Sequence, residues 1–330
     1  MKELRGRGVL VTGAGGFIGA NLVARLVDEG ATVRAFVRYN SRNDRGALEW
    51  LPSEVLDAVE VVAGDVRDIE SVSAALVETE VVFHLAAQIA IPYSYVNPRD
   101  FFETNVLGSL NVAQASVAAG VSRVLHTSSS EVYGTAQVVP ITEDHPLDVQ
   151  SPYAASKLGA DKLMEAFHRT YDLPVTVVRP FNTYGPFQSA RAVIPTILLQ
   201  ALEGDRIRLG SLEPRRDFTY VSDTVDGFLR VAAEPSTTGL TLQLGTGEEL
   251  SVREIVDVAA EVVGRPLTIE QETLRVRPRG SEVMRLISNP ERVRSLTGWR
   301  HEVGLHEGMS RTLEWLRTSR RSGRADEYVT

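Results

Sequence analysis

Short apolar runs alternate with amphipathic stretches through the first half of the chain. Residues 8–12, 32–37, 59–62, 81–85, 123–126 and 175–179 are apolar runs of strand length, whereas 17–29, 69–78, 101–120 and 153–171 carry apolar positions at helical spacing. Strands separated by helices predict βαβ units, so the fold class is α/β, a doubly wound parallel sheet. After residue 179 the pattern loosens, with turn signals at Tyr184-Gly185-Pro186 and Glu213-Pro214 ahead of a separate helix over 252–263. The expected division is a large domain over 1–180, rejoined by part of 218–245, and a smaller C-terminal lobe over 181–217 and 246–317. The segment TSRRSGRADEYVT, 318–330, is polar throughout and reads as a disordered tail. No internal repeat is present.

The composition narrows the function classes. At 330 residues and 43% hydrophobic content the chain is an ordinary globular enzyme in size and make-up. It has no cysteine, which removes thiolate metal sites, thiol nucleophiles and disulfides. A net charge of -8 argues against a nucleic-acid partner, so an anionic ligand needs local clusters of arginine. No apolar stretch of signal-peptide or membrane-spanning length is present, and the expectation is a cytoplasmic protein without a membrane partner.

Val9-Leu10-Val11-Thr12-Gly13-Ala14-Gly15-Gly16-Phe17-Ile18-Gly19 places three glycines between an apolar strand and the mouth of a helix. Gly13 permits the tight turn, Gly16 lets the backbone approach a pyrophosphate, and Gly19 allows close helix–strand packing, while the helix amides face the anion. The sheet is therefore read as Rossmann-type and the large domain as dinucleotide-binding, with Phe17 and Ile18 at the anion. Asp65, with Val66 after the third strand, is read at the adenine edge, the alternative being that Asp65 caps the next helix. The second strand ends in Arg38 where an NAD enzyme usually offers an acid to the ribose hydroxyls, and a guanidinium suits a 2′-phosphate. The cofactor is NAD or NADP, with a lean to NADP.

Ser151-Pro152-Tyr153-Ala154-Ala155-Ser156-Lys157 opens a helix, and its spacing sets Tyr153 and Lys157 on one face. A phenol titrates near 10 when free and becomes a useful base only beside positive charge. Tyr153 could then take a hydroxyl proton as hydride leaves the same carbon. Ser129, in the run Thr127-Ser128-Ser129-Ser130, would hydrogen-bond the reacting oxygen; the alternative is strand-end turn chemistry.

With these motifs in hand, the chain from Val9 to about Trp315 resembles the extended short-chain dehydrogenases/reductases that act on nucleotide sugars: VTGAGGFIG, HLAAQ, SSSEVYG, SPYAASK, RPFNTYGP and RRDFTYVSD fall in that family's order. The resemblance implies a tightly bound, recycled cofactor and a smaller lobe that binds the nucleotide-diphosphate sugar. It places Leu85, Ala86 and Ala87 against the cofactor, and Asn105 behind the active site. It assigns Gln88, Ser94, Asn182, Arg191, Val193, Arg216, Arg279 and Arg285 to the substrate, with Arg277 as a further diphosphate candidate. It also implies a homodimer paired through the helices at 101–120 and 153–171.

Glu131 bears on the reaction. Ser129-Ser130-Glu131-Val132-Tyr133-Gly134 resembles the segment in hexose 4,6-dehydratases whose carboxylate removes the C5 proton of a 4-keto intermediate. Ser130 departs from the Asp that many of those enzymes use as the acid for the leaving hydroxyl; Glu131 would then be base and acid in turn, with Ser130 or water as relay. The alternative is a Glu131 that only stabilises its loop. Segments around Ile91-Pro92-Tyr93, Ser189-Ala190-Arg191 and Arg277-Pro278-Arg279 are similar to 4,6-dehydratases of the legionaminic-acid pathway. The sequence reading is thus a nucleotide-sugar 4,6-dehydratase, with a 4-epimerase second, a nucleotide-hexuronate decarboxylase third, and a non-catalytic dinucleotide sensor disfavoured by the intact Tyr153/Lys157 pair.

Overall fold

The computed structural model describes residues 4–319. Six strands and seven helices alternate first: β1 (Gly8–Thr12), α1 (Phe17–Asp28), β2 (Thr32–Arg38), α2 (Ser53–Asp57), β3 (Val59–Gly64), α3 (Ile69–Ala75), β4 (Val81–His84), α4 (Ile91–Val96), α5 (Pro98–Phe101), α6 (Gly108–Ala119), β5 (Arg123–Thr127), α7 (Pro152–Tyr171) and β6 (Val175–Pro180). The remainder comprises β7 (Asn182–Tyr184), α8 (Val193–Glu203), β8 (Arg206–Leu209), β9 (Arg215–Arg216), β10 (Phe218–Tyr220), α9 (Val221–Ala233), β11 (Thr241–Leu244), β12 (Leu250–Ser251), α10 (Val252–Val263), β13 (Thr268–Gln271), β14 (Arg285–Leu286), α11 (Glu291–Thr297) and α12 (Leu305–Ser319).

The main sheet has seven strands in the order β11-β6-β5-β4-β1-β2-β3, and every neighbouring pair is parallel. Both faces are covered, which is why the strands read as continuous apolar runs rather than as alternating ones. In β1, Val9 and Val11 enter one core cluster and Leu10 enters the cluster on the other side of the sheet. Strand order reverses between β4 and β1, and the crevice beyond their C-terminal ends is where an open α/β sheet binds its ligand. Three small sheets complete the structure: β7 with β10, β8 with β13, and β9 between β12 and β14.

Three expected elements differ. The helix expected over 101–120 is interrupted: Phe102–Leu107 forms a π-helical turn between α5 and α6. A wide turn of this kind shifts side chains off the regular helical face and is frequent at functional sites. The helix expected over 69–78 stops at Ala75, with Glu78 at φ 56 turning the chain towards β4. At the other end of the chain, α12 continues through Thr318 and Ser319, two residues into the expected tail; the rest of that tail lies outside the described residues. Among the described residues no helix is long and apolar enough to cross a membrane.

Candidate active site

The glycine loop is forced by packing as well as by backbone conformation. Gly13 has φ +71, and a Cβ there would lie 2.7 Å from the Ala86 amide nitrogen. A Cβ on Gly19 would collide with the Gly13 carbonyl oxygen and come within 2.9 Å of Ala14 Cα. Gly16, by contrast, is exposed, and its missing Cβ leaves open backbone. It is also the N-cap of α1 and supplies no capping side chain, so the first amides, around Phe17 and Ile18, remain available to an anion. An uncapped helix start, exposed glycine backbone and a strand-order crevice together fit a dinucleotide pyrophosphate.

The neighbouring segments close around this loop. Leu85 donates its amide to Thr12 O (3.1 Å) and Ala86 donates to Thr12 Oγ1 (3.2 Å), which lays the chain leading to Ala87 against β1. Thr12 Oγ1 and His84 Nδ1 are 2.7 Å apart. Arg38 is the exposed last residue of β2, in register with Gly64. Asp65 follows, held below the usual carboxylate range chiefly by hydrogen bonding from Arg67, with the Arg38 charge adding to it. Helix α3 is capped by Asp68, whose carboxylate accepts from the amides of Glu70 and Ser71, so capping is not the work of Asp65. Val66 is buried, and its carbonyl accepts from Asn111 Nδ2 at 2.9 Å. One neighbour was not foreseen: Ala47 donates its amide to Gly15 O at 2.8 Å, laying the segment after β2 across the glycine loop.

Helix α7 starts where it does because Ser151 Oγ accepts from the Ala154 amide at 3.1 Å and Pro152 fills the first turn. Tyr153 is therefore fixed in that turn, 8% exposed. Burial pushes its phenol up to about 12; a hydrogen bond with Ser129 opposes the rise, while the charges of Glu131 and Asp161 add to it. Burial also lowers the Lys157 ammonium to about 8, against the pull of Asp161. Lys157 Nζ donates to Thr127 O at 2.6 Å, tying the helix to the end of β5. Ser129 Oγ accepts from the Glu131 amide at 3.2 Å and so starts the 3-10 turn Ser130–Tyr133.

Glu131 is 9% exposed. Its amide is engaged by Ser129, but none of the hydrogen bonds or ion pairs among the described residues involves its carboxylate. The charge of that carboxylate acts on Tyr153, on Tyr95 of α4 and on Arg216 of β9, which groups the four side chains. Arg216 is buried, and its Nη2 lies 3.7 Å from Glu282 Oε1; Arg277 Nη1 is 3.8 Å from the same oxygen.

The other sequence candidates are spread more widely. Gln88 Nε2 donates to Asp100 Oδ2 (2.7 Å), and Ser94 is fully buried with its hydroxyl donated to Ile91 O (2.6 Å). Asn182 is half-buried on β7, Arg191 is exposed, Val193 opens α8, and Arg279 is exposed. Arg285 sits on β14 in an ion pair with Glu249 at 2.8 Å, a carboxylate it shares with Arg215. It is not brought to the Glu131 cluster; of the two, Arg216 is.

Sequence reasoning missed the layer beneath. Asp161 Oδ2 accepts from Ser128 Oγ (2.7 Å) and from Arg179 Nε and Nη2 (3.2 and 3.0 Å), and Arg179 also donates to Tyr133 Oη (3.0 Å). The signal for Asp161 was its place one helical turn after Lys157.

A parallel sheet ending in a glycine loop, with a buried Tyr-x-x-x-Lys pair on the helix after β5, defines an extended short-chain dehydrogenase/reductase. The chain belongs to the GDP-mannose 4,6 dehydratase family, whose profile matches residues 10–312. It is 37% identical to a UDP-glucose 4-epimerase from Mycolicibacterium smegmatis over 93% of this chain and 98% of that one. It is 31% identical to a dTDP-glucose 4,6-dehydratase from Streptomyces antibioticus over 94% and 93% respectively. A similar solved structure is the dTDP-glucose 4,6-dehydratase DesIV from Streptomyces venezuelae with NAD bound, at a TM-score of 0.87 and 31% identity, covering 95% of this chain and 98% of that one. This chain is thus an NAD(P)-dependent enzyme of the nucleotide-sugar dehydratase and epimerase group.

Proposed function

We propose that the reaction is 4,6-dehydration of a nucleotide-activated hexose, giving a 4-keto-6-deoxy sugar nucleotide. One observation carries this reading: a buried carboxylate, Glu131, stands beside the catalytic phenol with no protein partner of its own. Its oxygens are engaged by no other described residue and are not sealed from solvent, so they are free to meet a substrate C–H bond. A 4-epimerase needs no second acid or base, whereas elimination needs one at C5.

Tyr153 takes the proton from the C4 hydroxyl; its phenol, pushed up to about 12 by burial, would be brought down for this by the Lys157 ammonium together with the positive charge of a bound oxidised nicotinamide. The nicotinamide supplies the hydride acceptor for C4 and, at the end, the donor for C6. The 4-ketone acidifies the C5 hydrogen, which Glu131 removes; the C6–oxygen bond then breaks and the hydroxyl departs as water with a proton relayed from Glu131 through Ser130. A proton from solvent restores C5 as hydride reaches C6, and Tyr153 releases the C4-hydroxyl proton to solvent, so that the net change is loss of one water. Arg216, buried and close to Glu131, supplies the charge that holds the substrate diphosphate. The segments 181–217 and 246–317 form the nucleotide-sugar lobe in this reading. Exposed Phe102, Leu107 and Val117, along the π-turn and α6, support pairing of two copies.

The cofactor reading is NAD or NADP with a lean to NADP, because Arg38 ends β2 with a cation where an acid would repel a 2′-phosphate. The epimerase is the second reading, favoured by the 37% identity to a 4-epimerase. Incubation with UDP-, GDP- and dTDP-hexoses in deuterated water decides: deuterium at C5 of a 4-keto-6-deoxy product is expected. Interconversion of C4 epimers without deuterium would establish the epimerase, and carbon dioxide from a nucleotide hexuronate the decarboxylase.

A further inference from the structure

Beneath the catalytic pair lies a fully buried ionic layer that the reaction above does not use. Asp161 is 0% exposed and Arg179 is 2% exposed. Their side chains meet at 3.0 Å, and Asp161 also holds Ser128 Oγ at 2.7 Å. His126 Nε2 lies 3.3 Å from the other Asp161 oxygen. We propose that Asp161 is the positioning residue of the catalytic pair, acting as the counter-charge of Lys157 and, through Ser128, as the anchor of the strand end that carries Ser129.

This role for Asp161 rests on the Tyr153/Lys157 reading and follows from the charges surrounding the ammonium. Lys157 is 4% exposed and donates to the carbonyl of Thr127. On its own helix Tyr153 and Asp161 lie one turn to either side; from β4 and β5 the rings of His84 and His126 feel its charge, Arg179 of β6 bonds Asp161 and Tyr133, and Glu131 acts on Tyr153. Burial holds both imidazoles below their usual range and therefore neutral, and it raises both phenols. Asp161 is the carboxylate one turn along on the same helix, and its charge is the one that opposes the desolvation of Lys157. With Asp161 charged, Lys157, Arg179 and Asp161 sum to one positive charge; without it, two cations share a dry interior. Coulomb repulsion in such a medium favours release of the lysine proton.

The same carboxylate sets geometry. Lys157 grips Thr127 and Asp161 grips Ser128, so two consecutive residues of the β5 exit are bonded to two consecutive turns of α7. Ser129 is next in the chain, and its hydroxyl acts on the phenol, opposing the rise that burial causes.

The sequence makes the test direct, because it contains only three lysines, Lys2, Lys157 and Lys162. Protein labelled with carbon-13 at the lysine ε-carbon gives three signals, and that of Lys157 is identified by its loss in Lys157→Arg. In the wild-type chain this signal should titrate at about 8. In Asp161→Asn its midpoint should fall by one pH unit or more, while Asp161→Glu should keep it in place. The alkaline limb of kcat should move with it, and Ser128→Ala should lower kcat without moving the midpoint. An unmoved midpoint in folded Asp161→Asn overturns the proposal, since a purely structural aspartate would affect stability alone. Should Asp161→Asn fail to fold, Arg179→Gln reads the same field from the other side: the midpoint must rise, and an unchanged or lower one overturns the proposal. The titration needs no substrate, so a failed dehydratase assay leaves it standing.

Discussion

Asn105 Nδ2 donates to Ser156 Oγ at 2.9 Å, joining the π-helical turn to the middle of the Tyr-x-x-x-Lys segment. The same amide group pairs with both backbone groups of Gln88, accepting its N–H at 2.7 Å and donating to its carbonyl at 3.0 Å. One side chain thus fixes the HLAAQ loop against α7. Asn105→Ala leaves these groups without their partner and should lower stability by about 1–3 kcal/mol, read as a fall in thermal midpoint. An unchanged midpoint would show that water satisfies them.

Glu131→Gln separates the two halves of the proposed reaction. The carboxamide cannot take the C5 proton, so formation of 6-deoxy product and solvent deuterium uptake at C5 should drop about 10²–10⁴-fold. Oxidation at C4 should survive, seen as reduced-nicotinamide absorbance building up after substrate is added. Elimination at the wild-type rate would remove Glu131 from the mechanism.

Activity should fall as pH rises through about 8, because burial lowers Lys157 to that value and the phenolate needs the cation. Stability carries the opposite sign. A lysine whose folded value lies below its unfolded one binds fewer protons when folded, so its contribution to stability increases from about 8 up to the unfolded value near 10.4. Denaturant titrations of wild type and Lys157→Met across that window should diverge accordingly.

Arg38→Asp tests the cofactor reading. An acid at the end of β2 can accept the ribose hydroxyls but repels a 2′-phosphate, so NADP affinity should fall at least about tenfold, or 1.4 kcal/mol, with NAD held or improved. Cofactor titration by fluorescence measures both; equal effects on the two would place Arg38 away from the ribose.

What the sequence made legible is local. The glycine loop follows its strand without a break, and the Tyr153/Lys157 pair sits in one helical turn after a serine cap and a proline, so each is complete within a few residues. Asp161 and Arg179 are 18 positions apart and meet only when α7 packs on β6. Arg216 and Arg285 look alike as residues in a polar stretch; pairing of β14 with β9 buries the first and turns the second towards Glu249. The π-helical turn escaped because helical periodicity averages over one wide turn; Asn105 was placed near the site by the family resemblance, and the structure shows it bonded to α7, but its hold on Gln88 had no local signal.

The crossing of the chain over the glycine loop bears on how the enzyme relates to its surroundings. Ala47 is bonded to Gly15, and a Cβ on either Gly15 or Gly46 would strike the backbone of the other segment. Under the proposed reaction, a dinucleotide seated beside that crossing would leave only by parting the two backbones. Hydride borrowed at C4 would then be repaid at C6 within one molecule, and turnover would be insulated from the oxidised-to-reduced nicotinamide ratio outside.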